Sequence, residues 1–163
     1  MIRLGILSDT HGDIRMACYA LLALRQRGAG FVVHCGDVGS VQIVEELAKS
    51  PSGFVFGNYD YPNPLPLAAA AERLGVHCFA DFGEFEMGGL KFAVLHGDDD
   101  VGLKAIKSAQ SHDIILQGHR HKFFDRQLGR TRVINPGALH RARELTCAML
   151  HFPAGRLEKI IIN

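Results

Sequence analysis

No apolar run in this sequence approaches the roughly 20 residues that a membrane span requires, so a membrane-spanning helix is excluded. The N-terminus, MIRLGILSDTHG, has a short apolar stretch but neither an h-region nor a small-residue cleavage site. It predicts a first strand and a cytoplasmic protein. An excess of either charge is missing too: 18 Lys and Arg face 17 Asp and Glu, a net charge of +1. Such a balance gives no field for gathering nucleic acid or an anionic membrane, so neither is expected as a partner. An anionic substrate must then be drawn in locally, for example by a bound cation. The four cysteines, Cys18, Cys35, Cys78 and Cys147, form no CxxC pair and lie far apart. They are expected as buried thiols rather than a disulfide framework. The chain also lacks internal repeats, low-complexity tracts and linkers.

What is present is ordinary except in one respect. A length of 163 residues predicts one domain over 1–163, and 47% hydrophobic with 21% charged residues is a globular composition. The exception is nine histidines. Histidine titrates near neutral pH and is the commonest metal ligand, so their placement matters.

Periodicity gives the elements. Ile2–Leu7, Phe31–His34 and Phe54–Phe56 read as strands. Ile14–Arg27, followed by Gly28, and Val41–Lys49, capped by Ser40, read as helices. This β-α-β-α-β order predicts parallel strands covered by helices. Tyr61–Pro66 holds three prolines and reads as a loop, followed by a helix over Leu67–Leu74. The second half reads as hairpins about Gly88-Gly89, Gly129-Arg130 and Pro153–Gly155. A helix over Val101–Ala109 and a buried strand at Ile114–Gln117 lie among them. The expectation is an α/β protein of two packed, mixed sheets with helices outside.

Polar residues of metal-ligand type follow five of these strands. They are Asp9 with His11, Asp37 after Gly36, Asn58 to Asp60 after Gly57, His96 before Gly97, and His119 with His121 after Gly118. In open α/β sheets ligands bind beyond the carboxyl ends of the strands, where residues distant in sequence meet. Asp9 and His11 are two apart, as are His119 and His121, so each pair in extended chain points one way. The four glycines permit sharp turns. Two carboxylates, one amide oxygen and four imidazoles are too many for one tetrahedral zinc, and no thiolate is among them. The set fits two adjacent metals with Asp37 placed to bridge. Its chemistry suits manganese, and also nickel, iron, zinc or cobalt, better than calcium or magnesium.

The order D-x-H, G-D, G-N-x-D, H-G, G-H-x-H and then N-P-G, running from Asp9 to Gly137, resembles the calcineurin-like metallophosphoesterases. It is most similar to their small single-domain bacterial and archaeal phosphodiesterases. The resemblance implies a four-layer α/β/β/α sandwich. It implies one metal on Asp9, His11, Asp37 and His121, and a second on Asp37, Asn58, His96 and His119. It also implies a phosphodiesterase of small phosphate esters, in which a hydroxide bridging the two ions attacks phosphorus.

Three departures stand out: Tyr59 where many relatives carry a proton-donating histidine, Arg120 between the last two histidines, and Ala138 after N-P-G. Asn58, Tyr59 and Asp60 are therefore the candidate catalytic residues. Asn58 and Arg120 are the candidates for holding the phosphate. Asp98-Asp99-Asp100 reads as an acidic loop whose last member caps a helix, because carboxylates there would repel a phosphate. His34, His77, His112, His140 and His151 have no motif partner and read as structural or surface residues. The alternative function is a non-enzymatic protein-interaction scaffold of the same fold, against which the complete ligand set argues. A nuclease is disfavoured by the absence of basic surface. The late hairpin edges offer a surface for homo-oligomerisation.

Overall fold

The computed structural model describes residues 2–61 and 63–163. The first half alternates strand and helix, with its third strand two residues earlier than the expected Phe54–Phe56 and a further short strand that the sequence reading does not include: β1 (Ile2–Leu7), α1 (Ile14–Gln26), β2 (Phe31–His34), α2 (Val41–Leu47), β3 (Ser52–Phe54), α3 (Leu65–Leu74) and β4 (His77–Cys78). The second half runs β5 (Phe82–Met87), β6 (Leu90–Leu95), α4 (Asp100–Ala109), β7 (Ile114–Gln117), β8 (Phe123–Leu128), β9 (Thr131–Pro136), β10 (Thr146–Phe152) and β11 (Arg156–Ile161). One sheet has the order β11-β10-β1-β2-β3-β4 and the other β5-β6-β7-β9-β8. Both are mixed: β1 to β4 and β6-β7-β9 are parallel, while the hairpins and the β1-β10 pair are antiparallel.

Three apolar clusters make four layers. Leu4 and Ile6 of β1 face Phe92 and Val94 of β6 and Leu116 of β7, and these pack between the sheets. Leu7 turns the other way, onto Leu21 and Leu24 of α1, Ile43 and Leu47 of α2, and Leu67 of α3. Ala93 and Ile115 back onto Leu103 of α4. This is period-two alternation with both faces buried, the pattern of strands sandwiched between layers. Phe92 stacks on Phe85 with centroids 4.8 Å apart, and truncating such a side chain to Ala costs about 3–5 kcal/mol. The arrangement is the α/β/β/α sandwich that the sequence predicts.

The differences are local and have physical causes. α1 is capped by Asp13, whose Oδ1 accepts from the Met16 N–H at 3.1 Å. α3 starts at Leu65, inside the proline-rich stretch, because prolines in a first turn lack only donors that would be unpaired anyway. β4 is two exposed residues, too short to leave a pattern. α4 is capped by Asp99, which accepts from the Val101 N–H, rather than by Asp100. The β10-β11 hairpin joins the first sheet beside β1, a long-range pairing that periodicity does not encode. The cysteines are all free, but only Cys35 and Cys147 are buried; Cys78 is exposed. No helix among the described residues is long and apolar enough to cross a membrane.

Candidate metal centre

The loops that leave β1 and β2 are stitched together by backbone hydrogen bonds. The Asp9 N–H donates to the Gly36 carbonyl at 3.0 Å, and the His11 N–H to the Asp37 carbonyl at 2.9 Å. The Gly118 N–H reaches the His96 carbonyl at 2.9 Å and ties the loops after β6 and β7 together in the same way. Asn135 of the N-P-G motif holds this loop, its Nδ2 donating to the Gly118 carbonyl at 2.7 Å.

The paired ligands are not extended, as their spacing suggests. Asp9, His11, Asp37, His119 and His121 all have left-handed backbones, with φ of 55°, 47°, 56°, 66° and 49°. Asp and His enter this region more readily than most residues, yet each instance costs of order 1 kcal/mol and persists only where its surroundings enforce it. Gly57 and Gly118 serve close approach rather than a turn. A Cβ on Gly57 would lie 2.1 Å from Asp37 Oδ1, and one on Gly118 would lie 2.0 Å from Ser8 Oγ.

The side chains converge. Asp37 Oδ2 lies 3.3 Å from His11 Nε2 and 3.2 Å from His96 Nε2. Asp9 Oδ1 lies 3.2 Å from His121 Nε2 and 3.9 Å from His96 Nε2. His11 Nε2 and His121 Nε2 are 3.3 Å apart. Asp9, His11 and His121 form one group whose ligand atoms lie within 4.8 Å of one another, and Asp9, Asp37 and His96 form a second. Asp9 is thus common to both groups, while Asp37 Oδ2 stands between the histidines of each. The His119 ring meets the His96 ring edge-on, 5.1 Å between centroids, and the His119 backbone N–H donates to Asp9 Oδ2 at 3.1 Å.

These residues fit divalent ions. Asp9 Oδ1 and His96 Nε2 are buried yet lack a partner of hydrogen-bond geometry among the described residues. Buried polar atoms are mostly satisfied, and two orphans that face a cluster of imidazoles and carboxylates have the chemistry to take a cation. His96 Nδ1 is occupied by the Cys35 carbonyl at 2.8 Å, which turns Nε2 toward the cluster. Without a cation the cluster is electrostatically awkward. Burial pushes Asp9 above the usual carboxylate range despite the nearby histidines. Burial likewise opposes the Asp37 charge, but His96 and the Tyr59 N–H hold Asp37 below that range. Burial lowers His96 as well, and the Asp37 and Asp9 carboxylates outweigh it and hold His96 at about 9. Burial lowers His11.

The remaining candidates surround this centre in different ways. Asn58 is exposed on the turn after β3. Tyr59 is also exposed, with its ring 4.7 Å from that of His11. Asp60 is buried, and its carboxylate accepts from the N–H groups of Gly57 (2.9 Å), Val38 (3.1 Å) and Gly39 (2.8 Å). It binds the β2 and β3 loops to each other. Arg120 turns outward and meets Asp100 at 3.5 Å.

Two histidines without a motif partner also belong to the neighbourhood. The His140 ring lies 4.9 Å from that of His11. His34 sits beneath the loops with Nε2 2.8 Å from Thr10 Oγ1. No spacing signal could have found either, since their partners lie more than twenty residues away.

Residues 2–154 match the family model of the calcineurin-like phosphoesterase superfamily domain. A phosphodiesterase of Methanocaldococcus jannaschii is 25% identical over 138 residues, covering 83% of each chain. The solved structure of an archaeal phosphodiesterase superposes with a TM-score of 0.90 at 23% identity, over 99% of this chain and 100% of that one. Vps29 of Entamoeba histolytica, in a zinc complex, superposes with a TM-score of 0.65 at 16% identity, over 99% of this chain and 100% of that one. With the family match spanning nearly the whole sequence and the sandwich fold in place, this chain belongs to the calcineurin-like phosphoesterase superfamily.

Proposed function

We propose that the chain is a metal-dependent phosphodiesterase acting on small phosphate esters, with two divalent ions held side by side at the strand ends. The observation that carries this reading is the pair of orphaned atoms, Asp9 Oδ1 and His96 Nε2, buried among converging ligands. Asp9, His11, Asp37 and His121 would hold one ion, and Asp37, Asn58, His96 and His119 the other. Mixed imidazole and carboxylate favours manganese, with nickel, iron, zinc and cobalt also suited. Such ions supply Lewis-acid polarisation of phosphoryl oxygens and an acidified water.

The chain's own residues set the geometry. Asp37 is oriented by the Tyr59 N–H. Asp60 locks the loops that carry Asp37 and Asn58, so it acts as a positioning residue rather than a proton donor. The His11 ring packs against the rings of both Tyr59 and His140. Hydrolysis adds water at phosphorus, breaks one P–O bond and returns a proton to the departing alcohol. No histidine follows Asn58, so alcohols that leave readily as anions are favoured.

The test is elemental analysis of the purified chain together with hydrolysis of bis(p-nitrophenyl) phosphate after manganese loading. Two ions per chain and turnover are expected. Asp37→Ala should lose the pair and at least about 10²-fold in rate. A folded parent that retains no transition metal and cleaves neither diesters nor monoesters would overturn the reading in favour of a scaffold.

A further inference from the structure

We propose that a cavity beside His96 receives one alcohol arm of the diester and selects apolar arms that carry a cationic head over arms that carry further negative charge. This selectivity rests on the phosphodiesterase reading above. The cavity has a volume of about 460 Å³, and Phe56, Leu95 and Ile106 give it apolar walls. That is the size and apolar character of a small-molecule site.

His96 and Gly57 both line it, and a Cβ on Gly57 would lie 2.1 Å from Asp37 Oδ1, so the cavity lies beside the proposed metal centre. The His96 side chain is 1% exposed, and its Nε2 has no hydrogen-bond partner among the described residues. A phosphoryl group drawn to ions at the proposed centre would have this apolar cavity beside it.

The rim sets the sign of charge. Asp81, Asp98 and Asp99 line the mouth, and no Lys or Arg lines it with them. Among the described residues none of the three takes part in an ion pair; Arg120, a nearby cation, is engaged by neighbouring Asp100. Asp81 accepts from the Tyr61 hydroxyl, and Asp99 Oδ1 from the Val101 N–H, so both are held in place. The aromatic rings of Tyr61 and Phe82, 46% and 41% exposed as residues, flank the same mouth and present faces that attract ammonium groups. The positive ions would be matched by the phosphoryl oxygens, leaving nothing to offset a second anion on the arm. Carboxylates that would repel a phosphate placed among them therefore act as a filter on what is attached to it.

The test uses the manganese-loaded full chain and diesters that share a p-nitrophenyl leaving group. Their second arms are methyl, 4-(trimethylammoniomethyl)phenyl, 4-neopentylphenyl and 4-(carboxymethyl)phenyl. Relative to the methyl ester, kcat/KM should rank cationic, neutral, anionic, with about tenfold or more between the extremes. In the Asp81→Asn/Asp98→Asn variant the spread should shrink to within about threefold. A second readout is binding without turnover. Benzyltrimethylammonium titrated into the zinc-loaded chain should shift the amide resonances of Gly97 and Gly102. That shift should weaken in the double variant and vanish in Ile106→Trp. A methyl ester that is cleaved with no ranking among the aryl arms overturns the inference, as does a titration with no localised shift. If the methyl ester itself is not cleaved, the phosphodiesterase reading fails, and the titration alone decides whether the cavity binds cations.

Discussion

The Tyr59 N–H donates to Asp37 Oδ1 across 2.8 Å, which leaves Asp37 Oδ2 to face His11 and His96 at 3.3 and 3.2 Å. One backbone donor thus decides which carboxylate oxygen faces the cluster. The turn that supplies it is in turn held by Asp60.

Asp60→Ala removes the acceptor of three amides. The unpaired donors should cost about 2–4 kcal/mol of stability, read as a lower urea midpoint. Metal content should fall with it, because the Asp37 and Asn58 loops lose their common anchor. Asp60→Asn retains one acceptor oxygen and should recover part of both. Unchanged metal content in a folded Asp60→Ala chain would show that the loops hold their shape without it.

His140 reads from sequence as a structural or surface residue, but its ring lies 4.9 Å from that of His11. Supporting residues of this kind typically change metal affinity by about 10–100-fold when removed. His140→Ala should therefore weaken metal retention in a chelator titration by about tenfold. His151→Ala should leave retention at the parental level, since His151 pairs with Glu158 on the far hairpin. Equal retention in the two variants would assign His140 to the surface after all.

Tyr59 replaces the proton-donating histidine of many relatives. A phenol releases its proton less readily than an imidazolium near neutral pH, and a well-placed donor contributes about 10²–10⁴-fold for poor leaving groups. The slope of log kcat/KM against leaving-group pKa should be steep in the parent and in Tyr59→Phe, and shallower in Tyr59→His. A shallow parental slope that steepens in Tyr59→Phe would make the tyrosine the acid.

His34 governs a pH dependence. It is fully buried, and burial together with the neighbouring His96 holds its pKa at about 3. The Thr10 hydroxyl donates to the Val38 carbonyl at 2.9 Å and so accepts from neutral His34. The unfolded chain takes up a proton at this position near pH 6.5, whereas the folded chain does not until about 3. Its stabilising contribution is therefore complete above 6.5 and is lost as pH falls toward 3. In chelator-treated samples the stability difference between the parent and His34→Asn should narrow by about 1.4 kcal/mol per pH unit from 6.5 to 4.5. A difference independent of pH would mean that folded His34 titrates normally.

The sequence by itself determined the parts that are local. Apolar runs marked most strands of both sheets, though not β4 and with β3 read two residues late, and helical spacing marked α1, α2 and α4, because each pattern is written in neighbouring residues. The order of ligand types after those strands was equally legible, since every pair from Asp9 and His11 to His119 and His121 lies within a few positions. Tertiary structure decided how those groups meet. It placed β10 beside β1, gave five ligand residues left-handed backbones, spent Asp60 on three amides and brought His140 to His11. It also enclosed the acidic, aromatic cavity beside His96. Each of these depends on contacts between residues distant in the chain, where the energy that enforces a strained φ or a buried charge comes from the far partner and leaves no mark in the local pattern.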